Sequence, residues 1–546
     1  MDDNHLINNK KSAGHKFLAG TATLAITGLV IKLLGAFFRI PLTNLIGEDG
    51  MAYYGVAYPI YSLFVVLSTT GLPVAISKMV SERVAHENYG GAHKVFRVSI
   101  MVLSLIGFLS FLICYFGAGA IAEAVGNSGA ELSIKAISPA LLIVPIVSSF
   151  RGYFQGRQDM RPTAASQLIE QIVRVAVGLS LSFVFIKTSL EAAAAGATFG
   201  ATAGSVGGLL MIFIIYFVKR KKIHKQINTN EIEYESYKKI LKQMFLIAIP
   251  ITIGSTIMPI MMNIDTAIIM NRLQATGWSL GEATSLFGIL SGYCNSLIQF
   301  PQVFTNAVAV SIVPAIAASY AKNDNEGLKL STKLGLRTIM LIGFPSFVGM
   351  LVLSKPILLL LYPMQIEGAT QAVPTFMILS IEIVFLSAVQ TFTGILQGVS
   401  KMNIPVINLA IAAAVKLVVT YYLVGIPALN IKGAAIGTVC AFVVACVLDY
   451  YAVKKYTGVE FDLKLTVGKP FVSSIIMGLA AGGTYKILFD LLGRNSVATL
   501  AAVIVGVFAY FIMIFITNSI TREELLLMPM GTKMVKLSDK LHLTKK

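Results

Sequence analysis

Charged residues are scarce in this sequence, in which Asp, Glu, Lys and Arg together make up 13% of 546 residues. A soluble domain carries about 25%, and a soluble chain of this length also needs polar linkers between its domains. Apolar residues instead amount to 55%, and the mean hydropathy is +0.76. These values exclude a soluble globular protein and indicate a chain that crosses a membrane many times.

Cysteine and histidine are also rare, with four and six residues. The cysteines lie in apolar runs without a CxxC pair, so neither a disulfide framework nor a zinc site is indicated. The sequence also lacks the motifs of serine hydrolases, zinc proteases, phosphate-binding loops and dinucleotide-binding folds. We therefore expect no metal, no cofactor and no enzyme activity.

Apolar runs of about 20 residues, enough to cross a bilayer, recur along the whole chain. They predict an all-α membrane protein with about fourteen transmembrane helices. The first run is too long for a signal-peptide core and lacks a convincing cleavage site, so we expect it to be retained. The predicted spans are 18–44, 53–77, 98–122, 134–150, 163–186, 190–218, 243–271, 284–313, 338–362, 373–397, 404–426, 431–453, 470–490 and 496–518.

Basic residues concentrate in alternate loops. With the N-terminus inside, the segments that would be cytoplasmic hold 33 of the 44 Lys and Arg residues, whereas seven lie in the outer loops or the outer parts of the spans. The positive-inside rule therefore predicts that both termini are cytoplasmic. It also accounts for the net charge of +17, so we expect no nucleic-acid partner.

Two landmarks recur at nearly one spacing. Residues 72–76 (LPVAI) are echoed at 313–317 (VPAIA), an offset of 314 − 73 = 241, and the Gln-Gly pair at 155–156 is echoed at 397–398, an offset of 398 − 156 = 242. Six predicted helices separate the copies, and an even number preserves the orientation in the membrane. The pattern predicts two six-helix lobes related by a parallel repeat, followed by two further helices.

This repeat predicts the domain organisation. Two matching lobes are typical of an alternating-access transporter whose site lies near the membrane midplane, and a duplicated scaffolding protein is the alternative. The predicted segments are a cytoplasmic N-terminal tail at 1–16, an N-lobe at 17–218, a basic cytoplasmic linker at 219–242, a C-lobe at 243–453, the last two helices at 454–518 and a cytoplasmic C-terminal tail at 519–546.

Ionisable side chains inside predicted spans are costly unless they face protein or water, so each is a candidate functional residue. A cavity with several cations favours an anionic substrate, because opposite charge lowers the cost of bringing a phosphate into low dielectric. The candidate substrate-binding residues are Lys32, Arg39, Arg174 and Lys416. The candidate polar or ion-coupling residues are Gln167, Glu170, Asp265 and Glu382.

Structural roles are also compatible with several of these residues. Glu170 and Arg174 are four residues apart on one helical face, so they either neutralise each other in a helix contact or take part in binding. Arg39 is either a cavity residue or an anchor at the outer interface. Asp265 and Glu382 either bind a coupling cation or pair with basic residues of other spans.

Residues 151–171 (RGYFQGRQDMRPTAASQLIEQ) resemble the polysaccharide biosynthesis and export group of the multidrug/oligosaccharidyl-lipid/polysaccharide flippase superfamily, to which the MATE-like exporters also belong. The most similar branch is that of the MurJ-like lipid II flippases of Gram-positive bacteria, which includes the stage V sporulation protein B type. Residues 32–42 (KLLGAFFRIPL) and 299–301 (QFP) add to the resemblance.

This resemblance implies fourteen helices in two lobes and a cationic cavity. It implies a flippase that moves undecaprenyl-pyrophosphate-linked peptidoglycan precursor, lipid II, from the inner to the outer leaflet of the bacterial cytoplasmic membrane. The segment 454–518 is then expected to form a groove for the prenyl tail. The expected partners are the lipid-linked substrate, membrane lipids and the cell-wall synthesis machinery. Whether Na⁺, H⁺ or the membrane potential drives transport is left open.

The sequence departs from the Gram-negative members, which place two cavity arginines on the first helix, a pair in span two and one before the Phe-Pro of span eight. Lys32 and Arg39 match the first pair in charge, whereas residues 63–67 and 294–301 hold no cation. Arg174 and Lys416 are candidates to replace the missing charge.

Three alternative functions stay open at this point. The substrate is another undecaprenyl-linked glycan, such as a capsule or teichoic-type repeat unit, or the protein is a cation-coupled MATE-like exporter, or it is a membrane-embedded glycosyltransferase or polymerase. An exporter of cations is expected to carry carboxylates on its first helix, and the first predicted span has none. An enzyme of that kind is expected to have a carboxylate in a large outer loop, and the predicted outer loops are short.

Overall fold

The computed structural model describes residues 3–228 and 235–519 of the chain. All regular elements in these two ranges are helices, and no strand is present in them. The described residues contain 13 helical stretches that are long and apolar enough to cross a membrane. The all-α membrane fold predicted from hydropathy is therefore confirmed, and the protein is a multi-pass membrane protein.

The first stretch, Ile26–Ala85, is 60 residues long and supplies two of the predicted spans. Most of it belongs to α1 (Asp3–Thr69), which is broken at Gly47, where φ is 63° and ψ is −166°. Glycine adopts this conformation readily because it has no Cβ. The break divides α1 into two arms, and counting the stretch twice gives 13 + 1 = 14 spans, as the sequence predicted.

Contacts divide the described residues into two units. The first holds the residues up to Gln274 together with Trp278–Gly288, and the second holds Ala275–Gly277 and the residues from Ile289 onward. After α1, the first unit contains α2 (Gly71–Ala85), α3 (Tyr89–Phe116), α4 (Ala118–Val125), α5 (Glu131–Ile137), α6 (Ala140–Gly156), α7 (Arg161–Phe185), α8 (Leu190–Asn228), α9 (Tyr237–Ala275) and α10 (Leu280–Gly288). The second unit contains α11 (Asn295–Ala321), α12 (Asn325–Val352), α13 (Ser354–Leu361), α14 (Ile366–Ser380), α15 (Glu382–Gly398), α16 (Asn403–Val424), α17 (Ile431–Thr457), α18 (Lys469–Leu492) and α19 (Asn495–Ile516).

α9 groups with the first unit, although in sequence it begins the second copy of the repeat. Two of its amide side chains donate to backbone carbonyls of this unit, Asn263 to Pro59 at 2.8 Å and Gln274 to Gly126 at 2.8 Å. A helix at the junction of two repeats can pack with either copy, and the sequence pattern does not decide which. The lobe boundaries drawn from the repeat stay predictions.

The repeat is visible in the helix boundaries. α6 begins at Ala140 and α15 at Glu382, an offset of 382 − 140 = 242, and both helices are 17 residues long. α7 begins at Arg161 and α16 at Asn403, again an offset of 403 − 161 = 242. The two units thus share a local order of helices at the spacing that the sequence landmarks indicated.

Each unit has its own apolar core. In the first unit, aromatic side chains of α3, α6 and α8 pack together, and the rings of Phe96 and Tyr153 stack with their centroids 4.5 Å apart. In the second unit, the core joins α11, α12, α15 and α17 and includes Phe344 and Phe392. Burial of these side chains stabilises each bundle by dispersion and close packing, because lipid tails are as apolar as the side chains themselves.

A row of glycines on α8 lets α7 approach closely. Gly196, Gly200, Gly204 and Gly208 recur every four residues and lie on one helical face. A Cβ at Gly200 would lie 2.6 Å from the carbonyl oxygen of Arg174. Small residues at this spacing are typical of close helix pairs in membranes. α8 therefore sets the position of α7, which carries several of the candidate polar residues.

Two further glycines hold α6 close to α2. A Cβ at Gly152 would lie 3.0 Å from the carbonyl oxygen of Pro73, and one at Gly156 would lie 2.7 Å from that of Ser77. Both glycines belong to the segment that carries the family resemblance. Their physical role is to bring the end of α6, including Arg151, against α2.

Candidate functional site

A polar cavity lies among the membrane-spanning helices of the first unit. Its volume is about 500 Å³, and its walls come from the second arm of α1 and from α2, α6 and α7. Polar groups inside a membrane-spanning bundle are costly when they face lipid, so a polar cavity there is a candidate functional site. The polar side chains that line it are Tyr58, Tyr61, Ser62, Thr69, Thr70, Ser148, Arg151, Gln155, Gln167, Glu170 and Arg174.

Three charged side chains meet in the lining of this cavity. Glu170 accepts hydrogen bonds from Arg151, with 2.8 Å between Nη2 and Oε2, and from Arg174, with 3.0 Å between Nη2 and Oε1. The side chains of Arg151, Glu170 and Arg174 are 12%, 15% and 16% exposed, so the group is largely shielded from solvent. Two guanidinium groups and one carboxylate leave a net charge of +1, which favours an anion in the cavity.

Hydroxyl groups also hold the two arginines. Arg151 Nε donates to the Ser166 hydroxyl at 2.9 Å, and Arg174 Nη1 donates to the Tyr58 hydroxyl at 3.4 Å. Tyr58 packs on Tyr61, with the ring centroids 5.9 Å apart. Each guanidinium is thus held by a carboxylate and a hydroxyl, which restricts its rotation before any ligand binds.

The local sequence explains how these residues come together. Gln167, Glu170 and Arg174 recur at intervals of three and four on α7, so they share one face of the helix. Arg151 reaches this face from α6, because a short turn with Gln158 at φ 59° joins α6 to α7. The Glu170–Arg174 ion pair suggested by the spacing is present, and both of its members line the cavity.

Lys32 and Arg39 lie elsewhere on α1. The side chain of Lys32 is exposed and that of Arg39 is half-buried, and neither lines the polar cavity. The assignment of Lys32 and Arg39 to substrate binding stays a prediction.

The second unit holds another cation and carboxylate. Glu382, the first residue of α15, is 7% exposed, and the positive charge of Lys416 on α16 acts on its carboxylate. The alternative in which Glu382 pairs with a basic residue of another span stays a prediction. Asp265 is half-buried on α9, in the first unit. Among the residues that the structure describes, no group of three His, Cys, Asp or Glu side chains is placed to hold a metal ion, and a role for Asp265 and Glu382 in ion coupling stays a prediction.

Two charged residues are not among the candidates drawn from the sequence. Arg151 follows the predicted span 134–150 and so falls in a predicted cytoplasmic loop, whereas α6 continues to Gly156. Asp449 lies in the predicted span 431–453, is 1% exposed and accepts a hydrogen bond from Asn408 Nδ2 at 2.8 Å. Both signals were present in the sequence, because Arg151 opens the segment of family resemblance and Asp449 is an acidic residue inside an apolar run.

An apolar cavity of about 640 Å³ lies in the second unit. Its walls come from α12, α15, α17 and the beginning of α18, and they include Phe344, Phe392, Tyr450 and Phe471. Because Phe471 and its neighbour Val467 belong to the segment 454–518, the cavity overlaps the region where the resemblance implies a groove for a prenyl tail. The groove itself stays a prediction.

Comparisons with known proteins agree with this architecture. Residues 17–320 match the family model described as polysaccharide biosynthesis protein, and residues 291–422 match the MatE model. The chain is 31% identical over 533 residues to the uncharacterized membrane protein YabM of Bacillus subtilis (strain 168), covering 96% of each chain. It is 29% identical over 481 residues to the lipid II flippase MurJ of the same organism, covering 85% of this chain and 88% of that protein.

Solved structures show the same fold. The lipid II flippase MurJ in an inward closed conformation superposes with a TM-score of 0.65 at 18% identity, over 90% of this chain and 97% of that one. An inward-facing multidrug resistance MATE family transporter of the MOP superfamily superposes with a TM-score of 0.66 at 16% identity, over 80% of this chain and 98% of that one. At these identities the likeness shows the fold alone, and it confirms the MATE-like fold class predicted from the sequence.

The matched family model covers more than half of the chain, and a relative above 30% identity covers nearly all of it. The relatives and structural neighbours named above include flippases and transporters. The chain therefore belongs to the polysaccharide biosynthesis protein family.

Proposed function

We propose that this protein is a flippase that moves lipid II, the undecaprenyl-pyrophosphate-linked peptidoglycan precursor, from the inner to the outer leaflet of the bacterial cytoplasmic membrane. The observation that carries the proposal is the polar cavity of the first unit, in which two arginines lie among membrane-spanning helices. The similarity to the lipid II flippase MurJ of Bacillus subtilis supports the choice of substrate.

The physical chemistry of a lipid-linked sugar explains what such a cavity does. A pyrophosphate and its sugars cannot enter hydrocarbon without a large desolvation cost, whereas a polyprenyl tail is itself hydrocarbon. The protein therefore needs to shelter only the head group. An alternating-access transporter does this by opening the same polar site first to one side of the membrane and then to the other.

Arg151 and Arg174 suit the pyrophosphate part of this head group. A guanidinium group offers donors in a fixed planar fork that matches phosphate oxygens, and it stays protonated at any physiological pH. The cavity also presents tyrosine, serine and threonine hydroxyls and the amides of Gln155 and Gln167. Groups of this kind both donate to and accept from sugar hydroxyls, so the lining fits a phosphate joined to a sugar better than a phosphate alone.

The protein carries no covalent chemistry of its own and works with both termini in the cytoplasm, as the distribution of basic residues favours. The apolar cavity of the second unit is a suitable place for part of the prenyl tail, because its walls are mainly aromatic and aliphatic. The cell-wall synthesis machinery is the expected partner on the outer side.

The test is a flipping assay in proteoliposomes that hold a fluorescent lipid II analogue in the inner leaflet. Arg151→Ala and Arg174→Ala should each slow its appearance in the outer leaflet by about 10- to 100-fold, because a hydrogen bond to a charged group contributes about 1.5–3 kcal/mol. Arg161→Ala is the matched control. Arg161 is an exposed arginine on the same helix, outside the cavity lining, and its loss should leave the rate unchanged.

Equal rates for the native protein and both cavity variants would contradict the proposal. The same assay separates the main alternatives. An undecaprenyl-linked capsule or teichoic-type repeat unit that is flipped faster than lipid II would identify another glycan as the substrate. The match of residues 291–422 to the MatE model keeps a cation exporter as a second candidate, and export of a lipophilic cation without any flipping would favour it.

A further inference from the structure

Glu170 is the feature of the polar cavity that anion binding alone does not explain. Among the described side chains that line the cavity it is the single carboxylate, and it occupies the same guanidinium donors that a phosphate would use. Both of its oxygens are engaged, Oε2 by Arg151 and Oε1 by Arg174. A carboxylate in this position competes with an anionic substrate for the two guanidinium groups.

The surroundings of Glu170 contain few other charges. α6 contributes Arg151, and α7 contributes Arg174 one turn away on the same face. The second arm of α1 contributes the hydroxyl of Tyr61, which lines the same cavity. α8 contributes a glycine face, on which a Cβ at Gly208 would lie 3.4 Å from Glu170 Oε2.

A pyrophosphate that enters this cavity changes the balance of charge. A pyrophosphate esterified at both ends carries two negative charges, which match the two guanidinium groups. With Glu170 still ionised, the site would then hold three negative charges against two positive ones in a largely shielded space. A shielded carboxylate that has lost its cations and faces another anion is strongly disfavoured, and the least costly remedy is to take up a proton.

We propose that Glu170 is a proton-binding counter-ion, which releases Arg151 and Arg174 to the pyrophosphate and takes one proton from the solvent when the substrate binds. No bond of the substrate breaks, and the proton returns to solvent when the carboxylate recovers its arginines. This inference rests on the proposed function, because it assumes a pyrophosphate ligand. It identifies proton linkage as a property of the polar cavity of the first unit.

The experiment measures binding of a farnesyl-pyrophosphate-linked N-acetylglucosamine to the full chain in detergent micelles. This ligand is esterified at both ends of its pyrophosphate, so it does not itself titrate near neutral pH. Calorimetry in buffers of different ionisation enthalpy counts the protons exchanged. We expect the native protein to take up about one proton, and its Kd to rise by up to about tenfold per pH unit as the pH increases.

Glu170→Gln supplies a neutral side chain of the same shape as the protonated carboxyl group. This variant should bind the ligand without proton uptake and with a Kd that does not change with pH. Glu82→Gln is the matched control, because Glu82 is an exposed glutamate outside the cavity. It should retain the proton uptake and the pH dependence of the native protein.

The outcomes separate this inference from the proposed function. Tight binding by the native protein with no proton uptake overturns the inference and leaves the proposed function standing, and this measurement needs no variant to fold. A Glu170→Gln protein that still takes up a proton also overturns it. Absence of binding by the native protein at every pH contradicts the proposed function, and the inference is rejected with it.

Discussion

At the scale of single residues, each unit has a basic residue near a shielded carboxylate, but the carboxylate comes from a different helix in each unit. Arg174 and Lys416 are separated by 416 − 174 = 242 residues, the offset of the sequence repeat. Each cation lies near a shielded carboxylate, but Glu170 comes from the same helix as its arginine, whereas Glu382 comes from the helix before its lysine. The repeat therefore preserves the position of the cation and not the origin of its counter-ion.

The positive charge of Lys416 near the buried carboxylate of Glu382 leads to a prediction about stability. Lys416→Met should lower the free energy of unfolding by about 1–3 kcal/mol, because it leaves a buried carboxylate without its cation. The double variant Lys416→Met with Glu382→Gln removes both charges and should recover most of this loss. Thermal unfolding in detergent micelles measures both.

A double variant as unstable as Lys416→Met would show that Lys416 does not act through Glu382. Flipping by the same proteins tests the predicted role of Lys416 in substrate binding. If that role holds, the double variant regains stability without regaining flipping activity. Recovery of both properties together would make the pair structural.

At this scale the sequence indicated some residues of the candidate site and missed others. The spacing of Gln167, Glu170 and Arg174 placed them on one face, and the structure places all three in the cavity lining. Arg151 was assigned to a loop, because a polar residue at the end of an apolar run looks the same whether the helix stops or continues. Only the packing of α6 against α2 shows that the helix continues.

At the scale of elements, the close approach of α7 to α8 depends on glycines of α8, which have no Cβ. The carbonyl oxygen of Arg174 faces Gly200, and that of Glu170 faces Gly204 at 2.5 Å from where a Cβ would be. The two charged residues of α7 are thus held by the backbone contact behind them. Any separation of α7 from α8 is expected to shift both residues relative to Arg151 on α6.

Gly200→Ala tests this dependence. The added Cβ would meet the carbonyl oxygen of Arg174 at 2.6 Å, so we expect a loss of about 1–3 kcal/mol of stability together with slower flipping. Gly483→Ala on α18 is the matched control, since a Cβ there has open space around it. It should be neutral or stabilising by up to about 1 kcal/mol, because alanine is the better helix former. The measurement is thermal unfolding of both variants. Equal midpoints of unfolding for the two would count against a close contact between α7 and α8.

At the scale of the whole molecule, hydropathy predicts the fold, and the distribution of basic residues predicts the orientation in the membrane. The 13 membrane-spanning stretches of the structure correspond to the predicted spans once the break at Gly47 is counted. Hydropathy works here because the free energy of transferring a side chain into lipid depends mainly on that side chain. The orientation is also inferred from local features, namely the basic residues of single loops, and it stays a prediction for this protein.

Accessibility of single cysteines tests the predicted orientation. Glu326→Cys, beside the loop before α12, should react with a membrane-impermeant thiol reagent only from the cytoplasmic side. Gly281→Cys, beside the loop before α10, should react only from the outside, and both positions are exposed. The background protein needs its four native cysteines replaced, since Cys440 and Cys446 are only partly buried. The reverse pattern would place both termini outside.

The sequence by itself determined that the chain is an all-helical membrane protein with a six-helix repeat, and it indicated most of the candidate charges. The tertiary structure decided which of those charges meet, as with Arg151 and Glu170 on two different helices. It also decided that α9 packs with the first unit. The physical reason is that membrane insertion is a sum of local transfer free energies, whereas a contact between helices depends on the rotation and close approach of segments far apart in the chain.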